Sequence, residues 1–69
     1  MWLIETIGND GDTTNRSSLT GKNIKEIINK LKELTSDATL YYEKQASRST
    51  CYMIYSTNQD LTLRATKYN

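Results

Sequence analysis

The stretch Asn23-Ile24-Lys25-Glu26-Ile27-Ile28-Asn29-Lys30-Leu31-Lys32-Glu33-Leu34 decides the fold. Ile24, Ile27, Ile28, Leu31 and Leu34 stand at i, i+3, i+4, i+7 and i+10. That spacing lays them along a single stripe of a helix. Lys25, Glu26, Asn29, Lys30, Lys32 and Glu33 fill the other positions, so the helix has one face to bury and one to leave in water. Glu26 and Lys30 form a favourable i,i+4 pair. Thr20 is the expected N-cap, because Leu19 and Ile24 then take the staple positions on either side of the first turn. Asn23, with Glu26 three residues on, offers an alternative cap. Thr35-Ser36-Asp37 ends the helix, since these side chains compete for backbone hydrogen bonds.

Downstream the apolar pattern switches to period two, the mark of strands. Residues 39–45 place Leu40, Tyr42 and Lys44 on one side. Ala46-Ser47-Arg48-Ser49 reads as a turn, and residues 50–57 form the next strand. In that strand Cys51, Met53 and Tyr55 share one face, and Thr50, Tyr52, Ile54 and Ser56 the other. Asn58-Gln59-Asp60 is a turn into a last strand over residues 61–68. Leu61, Leu63 and Ala65 face inward there, with Thr62, Arg64, Thr66 and Tyr68 outward.

Upstream, residues 2–7 read as a strand with Trp2, Ile4 and Thr6 on one face and Leu3, Glu5 and Ile7 on the other. Both faces are apolar enough for a central strand. Gly8-Asn9-Asp10-Gly11-Asp12 is a turn cluster, and Asp10-Gly11 is a hairpin signal. Residues 13–18 are polar and β-tolerant, readable as a short or irregular edge strand or as a loop. The expected architecture is a single α+β domain over residues 1–69. One amphipathic helix packs on a four- to five-stranded antiparallel sheet, in the order β-(β)-α-β-β-β.

The chain has 69 residues, 9 basic and 8 acidic side chains, one cysteine, one tryptophan and five tyrosines, with no histidine or proline. A domain this small buries only about 60% of its unfolded surface, so regularly spaced Leu and Ile belong to the core. No apolar run approaches the about 18 residues of a membrane span. The start Met1-Trp2-Leu3-Ile4-Glu5 lacks the basic and apolar regions of a secretory leader. A lone cysteine closes no internal disulfide, which points to a reducing compartment, the cytoplasm of the producing or host cell. A net charge of +1 gives little non-specific attraction to nucleic acid or anionic lipid.

Several kinds of chemistry lack their residues. Without histidine the commonest general base and zinc ligand is missing, and neither a catalytic set, a metal site nor a cofactor site is expected. Gly21-Lys22 at the helix start is not a phosphate loop, because Arg16 and Asn23 stand where that motif needs Gly and Ser or Thr. Asn9, Asp10 and Asp12 gather oxygen atoms in one loop, but the calcium-loop order of acids, central Gly and distant Glu is absent. These residues read as a turn. Cys51 groups with Met53 and Tyr55 on a face expected to be core, as an unreactive buried thiol. An enzyme would need two acids such as Glu5 and Glu43 to share a cleft.

The tyrosines carry the functional expectation. If Leu40, Cys51, Met53, Leu61 and Leu63 face the helix, then Tyr41, Tyr52, Arg64 and Tyr68 face away from it, among threonines. Tyr and Arg are enriched at the energetic centres of protein interfaces. The expectation is therefore a small non-enzymatic protein-binding module, an inhibitor or regulator that occupies a surface of a partner. The alternative is a nucleic-acid-binding module that stacks bases on the same face, with Lys44, Arg48 and Lys67 on phosphates. Both sheet edges lack proline to blunt them, so an edge is also a route to a homodimer. The shortage of Pro and Val beside abundant Asn, Ile, Lys and Thr resembles the residue usage of small accessory proteins from AT-rich genomes, including those of bacterial viruses. A one-residue slip in strand register would exchange the faces assigned here.

Overall fold

The two ends of the chain lie side by side within one sheet. The computed structural model describes residues 1–8 and 10–68. The strands are β1 (Trp2–Ile7), β2 (Thr13–Leu19), β3 (Thr39–Gln45), β4 (Ser49–Ser56) and β5 (Leu61–Tyr68), with helix α1 (Ile24–Thr35) between β2 and β3. The sheet order is β2-β1-β5-β4-β3, and every neighbouring pair is antiparallel. This is the expected α+β architecture, with the residues after the first turn forming a full edge strand. In that turn Gly11 adopts φ 87°, a left-handed conformation that glycine enters freely. The Asp10 carboxylate accepts the Asp12 N–H at 3.1 Å. Asn9, the other oxygen-bearing residue of this loop, lies outside the described residues.

The helix is capped by Asn23, not Thr20. Asn23 Oδ1 accepts the Glu26 N–H at 3.0 Å, and the Glu26 carboxylate reaches back to the Lys22 N–H. This reciprocal arrangement satisfies donors that a helix start leaves open. Thr20 instead offers its carbonyl to Lys30 Nζ. At the other end Ser36 turns left-handed at φ 71° and donates its N–H to the Lys32 carbonyl at 2.9 Å. The buried line of the helix is Ile27, Leu31 and Thr35. Leu34, read as the end of the stripe, is 72% exposed. Thr35 takes the inward place because its hydroxyl donates to the Leu31 carbonyl at 2.8 Å, which removes the cost of burying it.

Trp2 organises the core beneath the helix. It is 1% exposed and packs with Ile4, Ile27, Leu31, Ala38, Ile54, Leu63 and Ala65. Its indole N–H donates to the Gly21 carbonyl at 3.0 Å. The chain passes so close at Gly21 that a Cβ there would stand 2.8 Å from Ile27 Cδ1. The Tyr52 ring tilts against the indole at 5.6 Å, and Lys67 Nζ lies 5.7 Å from its centre. The molecule measures 20 Å in its shortest direction, room for two layers of about 10 Å each. Among the described residues no helix is long and apolar enough to cross a membrane.

One expectation about the faces is corrected. Residues paired directly across antiparallel strands share a face. Leu63 and Ala65 pair with Ile54 and Tyr52, so Tyr52, Ile54 and Ser56 lie on the helix side, while Cys51, Met53 and Tyr55 face away. The cause is the length of one turn. Strand β4 ends at Ser56, which pairs with Leu61 across a four-residue turn, Thr57–Asp60. A three-residue turn would pair Thr57 with Leu61 and reverse every side chain of β4. Ile54, fully buried, anchors the observed register.

Candidate functional site

Among the described residues no layer covers the face of the sheet opposite the helix, and this face divides into two halves. On the β2-β1-β5 half, Glu5 projects from the middle of β1 with its side chain only 6% exposed. Burial alone would disfavour its charge, and two arginines answer it. Arg64 donates through Nε and Nη2, each 2.9 Å from Glu5 Oε1. Arg16 Nε stands 3.4 Å from Oε2. Each arginine is the cross-strand partner of Glu5, on β5 and β2 respectively, so the sheet register itself builds the cluster. Leu3 and Ile7 flank Glu5 on this face, half-buried, and the charge at its middle is matched by the two arginines.

The β4-β3 half is different. Strand β3 is exposed along all seven residues. Its ladder with β4 is irregular between Leu40 and Tyr42. Leu40 pairs with Ile54 on the helix side, whereas Tyr42 pairs with Met53 on the open side. The extra residue of the bulge is Tyr41, and a bulge re-aims the side chains around it. Tyr41 is 57% exposed and Tyr42 52%. Tyr41, Tyr55, Thr39 and Thr57 line an open groove of about 430 Å³.

Two carboxylates fix the end of this groove. The Tyr55 hydroxyl donates to Asp60 Oδ1 at 2.6 Å. That bond to a carboxylate holds the phenol's proton and raises its pKa above the ordinary tyrosine value, with desolvation and the charges of Asp60 and Asp37 adding to it. Asp37, just past the helix, accepts from Ser56 Oγ at 2.7 Å, the Thr57 N–H at 2.9 Å and the Asn58 N–H at 3.3 Å. The Ser56 hydroxyl leads in holding its pKa below the usual carboxylate value, and the backbone donors reinforce it against some desolvation. Asp37 thus pins the β4–β5 turn to the end of α1.

The structure separates the residues that the sequence grouped together. Tyr41 lies in the groove, and Tyr68 stands exposed at the far end of β5, opposite Ser49. Tyr52 is on the covered side against Trp2, where burial first and the Glu43 charge second raise its hydroxyl pKa. Arg64 is on the open face but is bound to Glu5. Tyr42 and Tyr55 join the open face, and the one-residue slip in β4 together with the bulge in β3 concealed them. The four-residue spacing from Ser56 to Leu61 was the available signal. Cys51 is also on the open face, half-buried, its sulfur 3.7 Å from Thr66 Oγ1.

The other constellations are not assembled. Glu5 and Glu43 lie on opposite faces with two strands between them, so they share no cleft. Lys44 accompanies Tyr42 on the open face, while Lys67 lies over the Trp2 ring on the other side. The cations that a base-stacking surface would draw on are therefore divided. Comparison of the chain with protein-family models, with curated proteins and with solved structures gives no match.

Proposed function

We propose that the protein is a small non-enzymatic binding module that inhibits or regulates a partner protein by docking through β3 and the tyrosines of the open face. The observation that carries this reading is an edge strand that leaves Leu40, Tyr41 and Tyr42 in water. Exposed edges of natural sheets are ordinarily short, charged or covered, because their free N–H and C=O groups recruit other strands. An edge of three consecutive large side chains supports a role in recruitment. A partner segment added alongside β3 would gain main-chain hydrogen bonds, and the tyrosines would contribute rigid aromatic surface. The site is Tyr41, Tyr42 and Tyr55, with Tyr68 extending the same face; Tyr52 and Arg64 act within the fold.

The test is the double substitution Tyr41→Ser, Tyr42→Ser. Interface tyrosines of this kind contribute about 2 kcal/mol or more each, close to a thirtyfold loss of affinity per ring. The variant is expected to keep its circular dichroism and to lose partner capture from a lysate of the producing cell. Undiminished capture by a folded variant would overturn the reading.

A further inference from the structure

The groove beside β3 has a neutral, aromatic lining with a carboxylate at its edge. Its walls are the rings of Tyr41 and Tyr55, with Thr39 and Thr57 between them. Aromatic faces carry negative potential and attract cations. Asp60 touches the Tyr55 hydroxyl, and Asp37 touches the Thr57 backbone. Asp60 therefore stands at the edge of the groove, while Asp37 is held with Ser56 towards the helix side and acts on Tyr55 through its charge alone. Among the described residues the salt bridges are those of Glu5 with Arg16 and Arg64, so neither Asp37 nor Asp60 has a cation beside it. The bonds that Asp37 accepts favour its ionised form.

We propose that this groove takes an arginine side chain from an extended segment of the partner protein, its guanidinium against the tyrosine rings and its charge answered by Asp60 at the groove's edge and, at longer range, by Asp37. The proposal rests on docking through β3 and names the chemistry at one end of that interface. A strand laid beside β3 would present every second side chain over the open face, within reach of the groove. Arginine fits better than lysine. Its planar guanidinium stacks on an aromatic wall and gives up its hydration more readily than a compact ammonium. An acidic segment would meet two carboxylates already in place.

The test reads the ring protons of Tyr41 and Tyr55 by nuclear magnetic resonance. The probes are N-acetyl-arginine amide and its neutral isostere N-acetyl-citrulline amide. The protein is used as wild type and as Asp60→Asn. Asp60 has φ 50°, a conformation asparagine adopts readily, and the amide oxygen still accepts the Tyr55 hydroxyl, so the variant removes charge and little else. Arginine amide is expected to shift both rings saturably, about two- to fivefold more tightly than citrulline amide, the size of one exposed cation–π contact. Asp60→Asn should weaken arginine binding about threefold, the scale of one exposed charge pair, and leave the response to citrulline unchanged. Equal response to both probes, or saturable response to neither, would overturn the proposal. Ring shifts that grow with protein concentration alone would assign the groove to a second copy and also overturn it. Partner capture that needs Tyr41 and Tyr42, found together with no arginine preference, would retain the docking reading and remove the arginine.

Discussion

Strands β2 and β3 close the sheet on its two sides, each seven residues long and each without a neighbour beyond it. Their side chains differ sharply. β2 reads Thr-Thr-Asn-Arg-Ser-Ser-Leu; its arginine is tied to Glu5, and its one leucine packs against the core. β3 reads Thr-Leu-Tyr-Tyr-Glu-Lys-Gln and gives its leucine and both tyrosines to solvent. The two edges are therefore alike in exposure and differ in what they expose. What distinguishes β3 is that its exposed side chains are the kind a small domain normally keeps for its core. Beside a core built on one tryptophan and a few isoleucines and leucines, that is a substantial diversion.

The contrast extends to the halves each edge belongs to, and substitutions should rank accordingly. The largest effect is expected from Trp2→Ala, which removes the central core ring and the indole hydrogen bond to Gly21. Aromatic deletions in cores cost about 3–5 kcal/mol, comparable to the whole stability of a small domain. Urea denaturation should find this variant largely unfolded, whereas Leu40→Ala on β3 should cost under about 1 kcal/mol because the side chain is already partly in water. A Leu40 effect as large as that of Trp2 would place β3 in the core and break the contrast.

Next comes the ion cluster of the quiet half. Glu5→Gln should cost about 1–2 kcal/mol, since a buried carboxylate with charged donors gives way to a weaker acceptor. Arg16→Gln should cost about 0.5 kcal/mol or less, because that arginine is 71% exposed. Chemical denaturation of the two single variants and the double variant measures the coupling directly.

The Asp37 staple gives a pH signature. Its folded pKa is depressed, so its stabilising effect is fully present above the unfolded carboxylate value, about 4. That stabilisation is lost as pH falls from there through the folded pKa. Asp37→Asn should be less stable than wild type at pH 7. Below about pH 4 the difference should shrink, as protonation of Asp37 brings wild type towards the variant. Thermal melts of both proteins across that range check it; a constant difference at every pH would mean that Asp37 does not titrate against the turn.

Small effects on stability are also expected at the exposed positions of the edges themselves. Tyr41→Ser with Tyr42→Ser on β3, and Thr14→Ser with Asn15→Ser on β2, should each change stability by about 1 kcal/mol or less. Only the β3 pair should change partner capture. Equal loss of capture from the two edges would erase the comparison.

Much of the fold was legible because its signals are strong where burial is one-sided. The isoleucine–leucine stripe of α1 and the alternation in β5 each state an element, whereas Asp10-Gly11 signals a turn and leaves the strand after it open. The face of β4 was not legible, because Cys51 and Met53 on one side are about as apolar as Tyr52 and Ile54 on the other. The decision passed to the length of the turn at Thr57–Asp60. The bulge at Tyr41 left no mark in an alternating pattern of Tyr, Glu and Lys, and it moved Leu40 and Tyr42 to opposite faces. Hence Tyr41 and Tyr68 were found as exposed, Tyr52 was misplaced, and Tyr42 and Tyr55 emerged only from the pairing. The helix stripe overran at Leu34 because Thr35 satisfies its own hydroxyl and so competes for the buried place.

The claim that β3 is the docking edge is tested most directly by amide hydrogen exchange on the protein alone and bound to its captured partner. Docking through β3 predicts that backbone amides of residues 39–45 exchange more slowly in the complex, while those of residues 13–19 on β2 keep their free rates. Protection that falls on β2 or on the outer face of α1, with β3 unchanged, would contradict it.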